Sequence, residues 1–108
     1  MKTRDELPEC PVATTVQIIG NKWKLLIIRN LFTRSCRFGE LRRDLGVSQK
    51  VLTDSLRQLE ADGIITRTVL SESPPKVEYA LSELGQSLRP ILDTMESWGK
   101  DYKARANN

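Results

Sequence analysis

Phe38 to Gly63, FGELRRDLGVSQKVLTDSLRQLEADG, decides how this 108-residue chain is read. Phe38, Leu41 and Leu45 fall three and four apart, the spacing that stacks side chains on one helix face. Gly46 follows where a helix stops, because only glycine enters the left-handed region without steric cost. Ser48 is then an N-cap for a second helix, its hydroxyl accepting from amides that lack partners in the first turn. In that helix Leu52, Leu56 and Leu59 repeat the apolar spacing and leave Gln49, Lys50, Thr53, Asp54 and Arg57 opposite. Two helices about a turn at Gly46-Val47-Ser48, the second presenting long polar and basic side chains, have the form that enters a DNA major groove.

The segments before this stretch read as its support. Residues 1–9 are polar, end near Pro8, and are expected to be a mobile arm. Cys10-Pro11 opens a short helix running to about Ile19, with Pro11 at the first helical position and Cys10 as N-cap. Gly20 closes it and Asn21 caps KWKLLIIRNLF, a helix apolar on most sides and therefore placed in the middle of a core. Thr33 to Arg37 has no periodicity and is expected as a loop.

After Gly63 the period changes. Ile64 to Leu70 and Lys76 to Leu81 alternate roughly in twos, with Val77, Tyr79 and Leu81 on one face. Ser71 to Pro75 between them is expected as a turn that cannot continue a sheet. A hairpin directly behind the second helix is a wing. Ser82 caps a final helix, 82–106, in which Leu84, Leu88, Ile91, Met95, Trp98 and Tyr102 recur at helical spacing and Pro90 predicts a kink. That stripe runs past what so small a core needs, so Leu88, Ile91, Met95, Trp98 and Tyr102 are the expected interface with a second copy. Trp23 and Trp98 sit among leucines and read as core and interface residues rather than a ligand cage.

Composition narrows the function. Charged residues are 29% and hydrophobic ones 39% of the chain, which describes a globular domain rather than a disordered segment. No apolar run approaches the roughly 18 residues of a membrane span, and the first residues do not form a signal peptide; the cytoplasm is the expected location. There is no histidine, and Cys10 and Cys36 fit neither a zinc nor a redox CxxC spacing, so metal sites, cofactors and acid–base catalysis are not expected. From Lys22 to Arg43 seven basic residues face one acid, a local balance of +6 within a net charge of +3. A basic block leading into a helix-turn-helix suits phosphate contacts.

In order along the chain, Cys10-Pro11-Val12, Gly20-Asn21-Lys22-Trp23, Arg37-Phe38, Glu40-Leu41, Leu52-Thr53 and Leu56 form the first part of a pattern. Leu59 to Gly63, Arg67, Pro74 to Leu81, Gly85, Pro90-Ile91-Leu92 and Trp98 complete it. This ordered set, covering nearly all of residues 10–98, resembles the HxlR-type transcriptional regulators, winged-helix proteins related to the MarR group. Asn21 stands where a second glycine is frequent, Ser82 where threonine is usual, and Leu70 where the wing often has tyrosine. The resemblance implies a homodimer joined through its first and last helices. It also implies a response to oxidants or electrophiles through the cysteine matching Cys10.

The expected fold is therefore mainly α with a small β-hairpin: one winged helix-turn-helix domain over 10–108 that dimerises through its terminal helices. The expected partners are double-stranded DNA, a second copy, and a small electrophile or oxidant. Gln49 suits adenine, Lys50 and Arg57 suit guanine or phosphate, and the Thr53 methyl suits thymine. Asp54 could accept from cytosine, but its favoured role is to orient a neighbouring Arg or Lys. The amides at Ser48 and Gln49 can hold a phosphate. Arg37, Arg42 and Arg43 would touch backbone, with Lys76 and Arg67 reaching from the wing. Cys10, as N-cap, would face the positive end of a helix, a setting that favours a reactive thiol, with Cys36 as a partner or a spectator. One competing reading is a winged helix used only for protein–protein contact, whose exposed face would be more apolar than this one. A second is a thiol enzyme built on Cys10, which lacks an activating base or resolving cysteine at motif spacing.

Overall fold

The computed structural model describes residues 1–106, so the last two residues of the expected 10–108 domain lie outside it. Helix α1 is Pro11–Ile19, with Cys10 as N-cap and Pro11 in its first turn. Helix α2 is Lys22–Leu31, and the Asn21 side chain accepts from the amides of Trp23 and Lys24 at 2.9 and 3.2 Å. The helix-turn-helix is α3, Phe38–Leu45, and α4, Gln49–Ala61. Gly46 ends α3 in the left-handed region at φ 63°, and Ser48 Oγ accepts from the Val51 amide at 3.2 Å. Each of these caps falls where the residues demand it.

Ile27, Ile28 and Leu31 of α2 meet Leu41 of α3 and Leu52, Leu56 and Leu59 of α4, with Val47 from the turn, in one buried cluster. Half-buried Trp23, Leu25 and Phe32 border it, so α2 does occupy the centre. At the boundary, Lys22 Nζ lies 4.8 Å from the centre of the Trp23 ring and the Arg89 guanidinium lies 4.4 Å from that of Phe32. These cations sit on aromatic faces, which attract positive charge.

Three expectations change. Thr33 to Arg37 is not wholly a loop: Cys36–Arg37 form a short strand, β1, antiparallel to Tyr79 and Glu78. Two residues are too few to show a period, and only the partner strand makes them β. The hairpin is longer than expected, with β2 at Ile65–Glu72 and β3 at Pro75–Leu81 in a sheet of order β1-β3-β2. Ser71 pairs with Lys76 and Glu72 with Pro75, leaving Ser73-Pro74 as the connection. Proline is tolerated there because β1 reaches only Glu78 and Tyr79, so Pro75 has an unpaired edge on one side. The odd residue, Leu70, is absorbed by a bulge between Val69 and Ser71.

The third change is at Pro90. Instead of one kinked helix over 82–106 there are two, α5 at Glu83–Gln86 and α6 at Arg89–Arg105. Pro90 lies in the first turn of α6, where its missing N–H has no intrahelical acceptor to lose. Ser82 fixes the start of α5. Its Oγ accepts from the Gly85 amide at 3.0 Å and donates to the Gly63 carbonyl at 2.6 Å, which ties α5 to the end of the helix-turn-helix. The first nine residues carry a 3-10 turn at Arg4–Glu6, and Thr14 Oγ1 donates to the Pro8 carbonyl at 3.1 Å. Among the described residues no helix is long and apolar enough to cross a membrane.

Candidate nucleic-acid interface

Helix α4 turns Leu52, Leu56 and Leu59 fully inward, and this burial fixes which residues face out. The outward surface divides into two strips. Gln49, Thr53, Arg57 and Glu60 recur at helical spacing and look towards the hairpin, where they border a cleft of about 550 Å³. Arg67 and Tyr79 form the other wall, over an apolar floor of Phe38 and Leu56. Lys50 and Asp54 lie on the second strip, with Lys50 Nζ 3.1 Å from Asp54 Oδ2. The aspartate thus orients the neighbouring lysine, as the i, i+4 spacing allows.

The sheet explains how Arg67 reaches α4. Directly opposed residues of antiparallel strands share a face, and Cys36, Tyr79 and Arg67 stand opposite one another across β1, β3 and β2. Along this row exposure rises from buried Cys36 through half-buried Tyr79 to exposed Arg67. Arg37 stands opposite Glu78 in the neighbouring row, on the other face of the sheet from Arg67. Lys76 is exposed near the hairpin tip, and Arg42 and Arg43 are exposed in the last turn of α3. Of the ten residues expected at DNA, then, Gln49, Thr53, Arg57 and Arg67 share one cleft. Ser48 caps its helix, and Lys50, Arg37, Arg42, Arg43 and Lys76 stand apart from the cleft.

The basic block from Lys22 to Arg43 loses part of its charge in the fold: one lysine is buried and two arginines are paired with carboxylates. Lys24 is only 8% exposed. Arg34 bridges Glu40 at 2.9 Å and Asp44 at 3.6 Å, while Arg43 lies 3.4 Å from Asp44. Glu40 is held below the usual carboxylate range first by the Arg37 amide, which donates to it at 2.9 Å, and then by Arg34. Charge counted along a sequence overstates the field when carboxylates return on the next turn of helix.

Tyr79 and Glu60 were not expected in this cleft. Tyr79 has a signal in its alternation with Val77 and Leu81, but that pattern says only that it faces inward. Glu60 has none, because its place depends on where the hairpin folds back. The two cysteines also separate: Cys10 is exposed, whereas Cys36 is buried, with its thiol 3.7 Å from the Arg34 carbonyl. Burial pushes the Cys36 thiol up, away from the reactive thiolate.

A helix-turn-helix packed on an apolar scaffold, with its second helix exposed beside a β-hairpin and polar or basic side chains on both, defines a winged helix-turn-helix DNA-binding regulator of transcription. The chain belongs to the HxlR-like helix-turn-helix family, which it matches over residues 18–107. It is 45% identical over 102 residues to YdeP of Bacillus subtilis, described as an uncharacterised HTH-type transcriptional regulator, across 94% of this chain and 80% of that protein. The solved structure of the HTH-type transcriptional regulator ytcD is similar with a TM-score of 0.85 at 46% identity, covering 89% of this chain and 99% of that one. That of the redox regulator HypR in its oxidised form gives 0.79 at 45% identity, covering 85% and 96% respectively.

Proposed function

We propose that two copies of this chain act together on a pseudo-palindromic operator, with DNA affinity responsive to thiol-reactive compounds through Cys10. The observation that carries the operator reading is the ridge of exposed Gln49 and Arg57 with half-buried Thr53 between them, held outward by three buried leucines and flanked by Arg67. An amide, a methyl-bearing hydroxyl and a guanidinium on one helix face suit adenine, thymine and guanine edges respectively. Lys50, Arg42, Arg43, Arg37 and Lys76 serve backbone contacts, which position without specifying. Duplexes selected from a random pool by the wild-type protein supply the test. In a quantitative gel shift Arg57→Ala should weaken binding to the selected duplex by about 1–3 kcal/mol, and far less to random duplex. Equal losses on both would demote Arg57 to a phosphate contact.

Exposed apolar residues support the dimer. Ile91, Met95, Trp98 and Tyr102 on α6 are 38%, 46%, 66% and 63% exposed, and α6 has no buried residue. Leu88 differs from them, being half-buried against the core. Val12 and Val16 on α1 are also exposed, and α1 and Ile91 border a common apolar recess. A second copy laid along this face would cover it and set two recognition helices about 34 Å apart, one duplex turn.

For the thiol response, the support is an exposed Cys10 at a helix start beside this face, and the similarity to a protein described as a redox regulator. A Cys10 thiol that pairs across the dimer or adds to an electrophile would alter the spacing of the two helices. Operator affinity and non-reducing gels before and after diamide, with Cys10→Ser as control, test this. Unchanged affinity in the oxidised wild type would end the sensing reading.

A further inference from the structure

Resting on the DNA-binding reading above, the geometry points to a seat for one backbone phosphate of duplex DNA in the cleft between α4 and the hairpin. Arg67 and Tyr79 hold the phosphate from the hairpin wall, the charge of Arg57 on the α4 wall adds to the positive field while its guanidinium reads a base, and Glu60 weakens the hold. If α4 lies in a major groove and the hairpin lies beside it, the strand bounding that groove passes between them, and its phosphates enter this cleft.

Charge distribution favours an anion here. Arg34, Arg43 and Lys50 each lie within 4.0 Å of a carboxylate, whereas Arg57 and Arg67 form no ion pair among the described residues. They approach the cleft from opposite walls, one on α4 and one on β2. Tyr79 adds a neutral donor. Its ring packs against the core and stands opposite Arg67 in the ladder, so its hydroxyl is presented with little rotamer entropy to lose. Gln49 and Thr53 complete a polar lining, and a volume of about 550 Å³ admits a phosphodiester with its water.

Glu60 is the opposing element. It is exposed, lies one turn past Arg57 and borders the same cleft, well within the roughly 10 Å over which charges act at moderate salt. A carboxylate beside a phosphate seat lowers sequence-independent affinity, so that discrimination falls to base contacts.

Random-sequence duplex and a methylphosphonate series, in which single phosphates are made neutral, are the probes. On random duplex Tyr79→Phe, which keeps the ring and its packing, should bind about tenfold more weakly. Glu60→Gln should bind about two- to fivefold more tightly. Neutralising one particular phosphate should weaken the wild type and abolish both effects. Thermal melts matching the wild type would show that each variant is folded. A weaker Glu60→Gln would mean that Glu60 anchors Arg57 or Arg67, and would overturn the assignment. So would wild-type affinity in both variants while the wild type itself binds duplex with steep salt dependence. Absence of salt-dependent binding by the wild type would instead remove the DNA reading on which the seat stands.

Discussion

Two glycines look alike in the sequence and act through different physics. At Gly46, with φ at 63°, nothing lies within 4 Å of an added Cβ, so alanine would cost only the left-handed backbone, about 1–2 kcal/mol. At Gly85 the backbone is ordinary, but a Cβ would collide with the Ile64 carbonyl oxygen and press on Leu81. Urea unfolding should find Gly85→Ala destabilised by about 1–3 kcal/mol, because α5 must move off the Ile64 backbone and off Leu81 of β3. A Gly85→Ala protein as stable as the wild type would show that α5 does not pack so closely. The cysteines make the same point. Sequence presents two thiols, and only packing makes one of them accessible.

At the scale of elements, the start of α3 depends on one carboxylate. Glu40 accepts from the Arg37 amide and pairs with Arg34, and both hold its carboxyl below the usual range. The sign follows: a depressed folded-state value gives stability that is present above the ordinary glutamate value of about 4.3. That stability is lost as the pH falls from there through the folded value. Urea midpoints of wild type and Glu40→Gln should therefore differ above about pH 5 and converge in acid. A difference that does not change with pH would show that the charge of Glu40 contributes nothing. The hairpin and the break at Pro90 belong to this scale as well. Local residue preferences end the strands before Ser71 and after Pro75 and only kink the helix at Pro90; in the structure Pro75 sits on an unpaired edge and Pro90 in a first turn, where proline is tolerated.

For the whole molecule, the radius of gyration is 15.4 Å, against about 13 Å for a compact domain of this length. The excess fits an α6 without buried residues and a hairpin exposed along most of β2. On α6 the rings of Trp98 and Tyr102 stack with centroids 5.3 Å apart, an apolar platform left to solvent. With the proposed dimer formed through α6, Trp98→Glu should shift sedimentation towards the monomer and weaken binding to a two-half-site duplex, because a charge in an apolar interface is costly. Circular dichroism of the variant should retain the helical signature. Unchanged sedimentation would place the dimer contact elsewhere.

Local patterns in the sequence determined α1 to α4, the caps at Cys10, Gly20, Asn21, Gly46 and Ser48, the buried leucines of α4 and the presence of a hairpin. Helical spacing, glycine at a left-handed position and serine or asparagine at an N-cap act over a few residues, so a linear reading captures them. Tertiary structure alone decided that Cys36–Arg37 is a strand, that Lys24 is buried and exposed Arg34 is paired with carboxylates, and that Arg67, Tyr79 and Glu60 meet Arg57 across one cleft. Those facts depend on which distant segment arrives alongside, and strand register and burial belong to pairs of segments.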